Sequence, residues 1–437
     1  MYKKSLIHPL SSVAPLPQFE LWSVPGTQVS VTNDIESEVR PLSTIAADQP
    51  IELSIQSGVD EYINLAETSI YIKARVNLQK EGNAAIAKAD WESVVPAQNF
   101  LHSIFSSCEV KIGDKELSLA PQTYGYRAFI ETLLGFSSDA KKTYLQGAMW
   151  TSENSDRTKT VMPDTVTDKN GKWFELMGRL HLDLAFQEKN IVGGTEIKIR
   201  LIPNDPKFYF QAGDKLTPTL EIAQLYLEVH KAKVTDDLLN AHSSVIATSP
   251  TRYPITRCEV KQQSIPKGSL DASLDNFVRG QIPRRIFVFM VDVEAFNGSF
   301  KTNPFELKHN DLTSISAFID GVQYPTKPYT PSFSENLYMR EFTHLFDVLN
   351  QNRTDTYCDI NFSKFKSNYP IFAFNFAPDL SSGPGSNGHT SLITHGSLSL
   401  ALRFKSALSN PITVLAYCEF DNVIEIDANR QASTNYN

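Results

Sequence analysis

Cysteine is scarce in this chain. Four are spread over 437 residues (Cys108, Cys258, Cys358 and Cys418), with no CxxC pair among them. That argues against a zinc motif and a disulfide framework, and it suits a reducing compartment. Sequence signatures of catalysis are missing too. There is no GxxxxGK[ST] phosphate cradle, no HExxH and no GxSxG elbow. The nine histidines are dispersed. His389 and His395 come within six residues of each other, but no acid lies between them, and HxH and HxxxxH spacings are absent. A cupin-type metal site would need several histidines and a glutamate converging from neighbouring strands, so this spacing argues against one. GPGSNG (383–388) follows no clean strand and opens no helix, and reads as a loop. No residue is assigned to catalysis, cofactor binding or metal ligation, no cofactor is expected, and the chain is not read as an enzyme.

Long apolar runs are also lacking. Stretches such as IFVFMV (286–291) reach only six residues, too short to span a bilayer. The N-terminal MYKKSLIHPLSSVAPLPQF has three prolines and no continuous apolar core, so it does not read as a secretion signal. Without one, the Asn-x-Ser/Thr triplets at Asn297, Asn352 and Asn361 read as chance. Positive charge is in deficit: 41 basic against 49 acidic residues leave a net charge of −8. Direct, strong nucleic-acid binding is not expected. Lys3-Lys4 and Arg284-Arg285 are too small a patch to change that, and read as solvated or interface charges.

What is abundant is punctuation and aromatic surface: 24 Pro, 20 Gly, 26 Phe and 16 Tyr, distributed along the whole length. This favours many short strands joined by loops, and the length favours two domains. The chain also carries a faint copy of itself. CEVKIGDKELS (108–118) reads as a hairpin around Gly113-Asp114 and is followed by YGYRAFIETLLG (124–135). ISAFIDGVQYP (315–325) reads as a hairpin around Asp320-Gly321 and is followed by LYMREFTHLFDVL (337–349). Arg127, Phe129 and Leu133 then correspond to Arg340, Phe342 and Phe346. Downstream, MGRLHLDLAF (177–186) parallels NYPIFAFNFA (368–377), GTEIKIRLI (194–202) parallels GSLSLALRF (396–404), and LEIAQLYLEV (220–229) parallels ITVLAYCEFD (412–421). Gly113 and Asp320 stand 207 residues apart, Arg127 and Arg340 213, and Gly194 and Gly396 202, close to half the chain.

The resulting organisation is an N-terminal arm and lead-in strand over 1–45, a first β domain over 46–235, a connector over 236–250, a second β domain over 251–428, and a polar tail over 429–437. Helices are expected at Tyr126–Leu134, Asn336–Leu349 and Asp236–His242. The fold class is all-β, with each domain a jelly roll or another β-sandwich. In ITVLAYCEFDNVIEID (412–427) three acids at its end, Asp421, Glu425 and Asp427, invite a metal reading. On a strand, Asp421 and Glu425 lie about 13 Å apart, too far to hold one ion. The stretch reads as a strand with a solvated or interface face. Arg127 and Arg340 read as a repeated structural ion pair or interface contact, and Phe208-Tyr209-Phe210 as packing.

Taken in order, LWSVPGTQVSV (21–31), RPLSTIA (40–46), NFLHSIFSSCEVKIGDKELS (99–118), GRLHLDLAFQEKNIVGGTEIKIRLI (178–202), RYPITRCEVKQQSIPKG (252–268), GQIPRRIFVFMVDVEAFNGSF (280–300), NPFELKHNDL (303–312), PTKPYTPSF (325–333) and CEFDNVIEID (418–427) resemble the major capsid proteins of polinton (maverick) elements and adintoviruses, distant relatives of the adenovirus hexon. Departures are mild: Gly26 and Gly125 stand where such proteins often carry proline. The resemblance implies two tandem jelly-roll β-sandwich domains (a double jelly roll) with a few short helices. It implies a major capsid protein that self-assembles as homotrimeric, pseudo-hexameric capsomers tiling an icosahedral shell around a DNA genome. The implied partners are further copies of the chain, a single jelly-roll penton protein at the vertices, and minor capsid proteins. The implied location is the virion, assembled inside a host cell. Phe333, Phe342, Phe346, Phe372, Phe374 and Phe376 would supply apolar area either to the trimer interface or to the core. The alternative from the residues alone is a two-domain β-sandwich carbohydrate-binding or fibre protein.

Overall fold

Runs of β-branched and aromatic residues in period-two alternation become strands wherever one face can be buried. The computed structural model describes residues 10–11, 16–46, 48–117, 122–151, 153–165, 167–352, 354–355, 357–380 and 389–436. Among them the first half of the chain forms β1 (Val31–Val39), β2 (Ile51–Ile55), β3 (Glu61–Lys80), β4 (Val95–Pro96), β5 (Phe105–Ile112), β6 (Lys115–Glu116), β7 (Phe174–Arg179), β8 (Ile197–Pro203), β9 (Phe210–Gln211) and β10 (Leu216–Val234). The second half forms β11 (Thr251–Ile265), β12 (Asp271–Gln281), β13 (Arg285–Asp292), β14 (Leu312–Ile319), β15 (Val322–Tyr329), β16 (Phe372–Asn375), β17 (His395–Phe404), β18 (Ile412–Ile426) and β19 (Ala432–Thr434).

These strands pair into sheets β1-β10-β3-β7 and β2-β8-β5-β6 in the first half, and β11-β18-β13-β16 and β12-β17-β14-β15 in the second. β4 pairs only β9, and β19 adds to β18. With those three set aside, each half has eight strands. Counted along the chain, both halves read first-eighth-third-sixth in one sheet and second-seventh-fourth-fifth in the other. Two sheets of four antiparallel strands with this shared order make each half a jelly roll, and the chain a double jelly roll. The repeat seen in the sequence is therefore a repeat of topology: β5–β6 matches β14–β15, β8 matches β17, and β10 matches β18.

Local chemistry explains the turns. Ile319 pairs Val322 across Asp320 (φ 48°) and Gly321 (φ 84°), the two left-handed residues that a tight two-residue hairpin requires. The expected helices appear as Tyr124–Gly135, Asp236–Ile246 and Met339–Leu349. The Asp236–Ile246 helix lies between the last strand of one half and the first of the next. Short loop helices such as Lys88–Glu92, Asn154–Val161 and Phe362–Ser367 were not anticipated. Their length gives too few turns for a helical period to show.

The C-terminal segment read as a polar tail is in fact tied down. β13 pairs β18 only as far as Glu419, and beyond that point β19 pairs Ile424–Ile426. The segment then reaches the first half. Tyr436 Oη donates to Leu117 O at 2.9 Å, and Arg430 Nε to Gly193 O at 2.7 Å. The Asp114 N–H donates to Gln431 Oε1 at 3.2 Å. Gly113 makes room for this contact: a Cβ there would stand 2.2 Å from the Gln431 oxygen.

Candidate functional site

Among the described residues the strands assemble no catalytic constellation, and the densest grouping of buried, paired charge lies at the seam between the two jelly rolls. The Tyr124–Gly135 helix forms the first domain's side of it. Tyr126 packs among Phe289, Phe296 and Phe305 of the second domain, and the Phe129 ring stacks on Phe305 at 4.4 Å. On the neighbouring face of the same helix, Arg127 ion-pairs with Glu131 at 2.9 Å and with Asp183 at 2.7 Å, all three side chains about nine-tenths buried. Glu131 also meets His181 Nδ1 at 2.5 Å and accepts from Tyr417 Oη at 3.0 Å. Asp183 accepts the backbone N–H of Cys258 at 3.1 Å. Through Tyr417 and Cys258, the first domain's ionic cluster is bonded directly to strands β18 and β11 of the second.

A second cluster stands across the same cleft. Arg284 Nη2 pairs Glu419 at 3.0 Å and its Nη1 stands 3.1 Å from Asp421. The latter is an ion contact without hydrogen-bond alignment, since Nη1 and the Asp421 oxygen both lack a hydrogen-bond partner. Arg285 also pairs Glu419, and donates to Val348 O at 3.0 Å. Between the clusters lies a cavity of about 420 Å³ lined by Arg127, Glu131, Cys258, Arg285, Tyr417 and Glu419, among others.

Electrostatics act strongly on the first cluster. Burial works against ionised Glu131, but Arg127 and His181 overcome it and hold the carboxyl at about 2. Burial likewise opposes Arg127, and Asp183 and Glu131 push it well above its usual value. Asp183 is raised, because its burial outweighs Arg127. Burial drives the Cys258 thiol and the Tyr417 hydroxyl well above their ordinary values, so both stay neutral. Buried charges paired in this way suit a joint: removing one partner of a buried pair costs about 3–5 kcal/mol, whereas the intact pair contributes little net stability. The seam therefore specifies how the domains sit together.

Several sequence expectations need correction here. Arg284 and Arg285, read as solvated or interface charges, prove to be interface charges at the seam and not solvated ones. Arg284 is buried and Arg285 largely so, because they stand at the start of β13, whose following residues are covered on both faces, and their charges must find acids. Asp421 is likewise buried, while Glu425 pairs Arg252 at 2.8 Å and Asp427 accepts the Gln431 N–H at 2.9 Å. The three acids therefore serve three separate contacts. Arg127 is an ion-paired residue, but Arg340 donates to the carbonyls of Pro328 and Lys327 and lies over the Tyr329 ring. Phe333, Phe372 and Phe374 are buried in the core, and Phe342, Phe346 and Phe376 pack half-buried against it. Phe208, Tyr209 and Phe210 are buried packing. His389 pairs Asp379 at 2.6 Å. Lys3, Lys4 and the 383–388 loop lie outside the described residues.

The seam was half visible beforehand. Arg127 and Glu131 stand at i,i+4 on a predicted helix, a legible pair. Asp183, Tyr417 and Glu419 are distant in sequence, and nothing local marks them.

No family model matches the chain. An uncharacterized protein of Caenorhabditis elegans (F54H12.2) is 25% identical over 415 residues, covering 92% of this chain and 97% of its own. Among solved structures, a chain of the Sputnik virophage superposes with a TM-score of 0.63 at 10% identity, covering 98% of this chain and 94% of that one. The Faustovirus major capsid protein superposes with a TM-score of 0.56 at 8% identity, covering 93% and 92%. At such identity the likeness is one of fold, and it covers both jelly rolls.

Proposed function

We propose that this chain is a major capsid protein, a subunit that builds an icosahedral shell around a DNA genome. One observation carries this reading: the same eight-strand order occurs twice in one chain, and that whole two-domain arrangement is shared with the Faustovirus major capsid protein. Two similar domains per chain and three chains per ring give six similar units, so a homotrimer presents a pseudo-hexagonal outline that tiles a flat facet. The working domain division is 46–235 and 251–428, with the helical connector between. Within the lineage, the sequence resemblance favours the polinton and adintovirus branch. Partners are other copies of the chain, a vertex protein and minor shell proteins.

Two features support self-contact. The ionic seam fixes the angle between jelly rolls, as a lattice subunit requires. The extended arm before β1 leaves Leu16, Phe19, Leu21, Trp22 and Val24 between 62% and 89% exposed. So much apolar side chain on one stretch marks a surface meant to be covered. The acidic charge leaves genome binding to other proteins.

The test is the solution mass by light scattering, with electron microscopy of the same fraction. Three chains of 48.9 kDa give about 147 kDa. Hexagonal particles of that mass support the proposal, and shells at higher concentration complete it. A protein that remains monomeric both alone and with its vertex partner rules it out.

A further inference from the structure

The connector helix Asp236–Ile246, which joins the two jelly rolls, roofs a cavity of about 410 Å³ that shares no lining residue with the seam cavity. Its apolar walls come from Leu238, Leu239, Val245 and Ile246 of the helix, Tyr62 of β3 and Tyr253 of β11. The four helix residues are spaced to share one face. Yet Ile246 alone is buried in this helix, and Val245 is 60% exposed. Much of the apolar face therefore borders the cavity and not packed side chains. The volume lies within the range of small-ligand sites, about 300–1,000 Å³.

The charges at this cavity are of one sign. Lys189, Arg252 and Arg430 line it, and among the described residues no aspartate or glutamate does, in a chain with 49 acids against 41 bases. Arg252 is neutralised by Glu425 at 2.8 Å. Arg430 and Lys189 ion-pair with no acid among the described residues. Each is held by a carbonyl instead: Arg430 Nε donates to Gly193 O at 2.7 Å, and Lys189 Nζ to Arg252 O at 3.0 Å. Arg430 Nη1 is buried and has no hydrogen-bond partner. A bare, buried guanidinium nitrogen is costly, and a carboxylate is the group whose geometry meets it. We infer that this junction pocket binds a fatty acid, its alkyl chain against the connector helix and its carboxylate on Arg430, with Lys189 adding positive charge.

Shape and charge together select the ligand. The two wall tyrosines have their hydroxyls engaged, Tyr62 Oη with His242 Nδ1 at 2.9 Å and Tyr253 Oη with the Val192 N–H at 3.0 Å, so they present mainly their rings. A sugar or a peptide terminus would bring hydroxyls or amides that such walls leave unpaired. Ordered water would satisfy Arg430 Nη1 but not the apolar face beside it. A cavity of this size suits one alkyl chain and not a two-chain lipid. The ligand would touch Tyr62 of the first jelly roll, Tyr253 of the second, the connector and the C-terminal clasp at once. Occupancy therefore stabilises the junction by mass action.

The experiment uses the full chain, freed of bound lipid on a hydrophobic resin. Dodecanoate is titrated calorimetrically below its micelle concentration, beside dodecanol and dodecyltrimethylammonium, and thermal melting is followed with each. The expected result is one dodecanoate per chain, a raised melting temperature, and binding at least tenfold weaker for the neutral and cationic analogues. Arg430→Gln should weaken dodecanoate binding at least tenfold. Ser243→Trp, at an exposed helix position that lines the cavity, should abolish binding by filling it. It removes no contact of the fold, so its ligand-free melting temperature should match wild type. Absence of saturable dodecanoate binding overturns the inference, as does equal affinity for the cationic analogue. Wild-type affinity in both Arg430→Gln and Ser243→Trp also overturns it, by placing the site elsewhere. If dodecanoate fails to bind while Ser243→Trp blocks self-assembly, the pocket receives another copy of the chain and the inference falls. Binding is read on the single chain, so its outcome is separate from that of shell assembly.

Discussion

The Tyr124–Gly135 and Met339–Leu349 helices hold the same place in the two jelly rolls, each following the hairpin of the second sheet, yet their surroundings differ. Ten of the first helix's twelve residues are buried, against three of eleven in the second. With Arg127 aligned to Arg340, Tyr126, Ile130 and Leu134 of the first correspond to Met339, Thr343 and Asp347 of the second. The first three are buried at the seam, and the second three are exposed. The same contrast separates β10 from β18. β10 alternates over Leu225–Val229, whereas β18 is buried at every position from Ile412 to Asn422. The repeat supplies one topology twice, and the seam breaks the equivalence. The first domain's helix and the second domain's sheet have each acquired a second apolar face because each covers the other.

That asymmetry can be broken by substitution at matched positions. The largest effect is expected at the arginines. Arg127→Ala strands Glu131 and Asp183 without their cation and should cost about 3–5 kcal/mol in urea denaturation. Arg340→Ala loses two carbonyl hydrogen bonds and a ring contact and should cost about 1–2 kcal/mol. Equal losses would mean that the seam is not the structural joint described. Next, Ile130→Ala should destabilise by about 2–5 kcal/mol, while Thr343→Ala stays within about 0.5 kcal/mol.

Acid sharpens the comparison further. Glu131 is held at about 2, below its usual 4.5, so its pairing contributes stability that is full above pH 4.5 and is lost as pH falls toward 2. Asp183 is raised, so it works in the opposite sense and offsets part of that loss. Melting temperature followed from pH 6 to 2 should therefore fall less steeply in Glu131→Gln than in wild type. Parallel curves would show that the carboxylate is not held by the seam. The smallest effect is expected at the C-terminal clasp, where Tyr436→Phe removes one bond to Leu117 and should cost about 0.5–1.5 kcal/mol.

How much of this was legible depends on the distance over which each signal acts. The Asp320-Gly321 turn announces itself in two residues. IFVFMV (286–291), a continuous apolar run bounded by charge, is the pattern of a strand covered on both faces, and β13 is such a strand. The two arginines at its start could be read only as solvated or interface charges, because their partners, Glu419 and Asp421, lie more than 130 residues away.

The sequence by itself determined the main strands, the tight turns, the three longer helices and the repetition of one domain, because period, turn chemistry and amphipathicity act over a few residues. Only the tertiary structure decided which copy of each element is covered twice, where the buried arginines find their acids, and how the C-terminus returns to the first domain. Those outcomes depend on what lies against a residue's outer face, and that is settled only when the two jelly rolls dock.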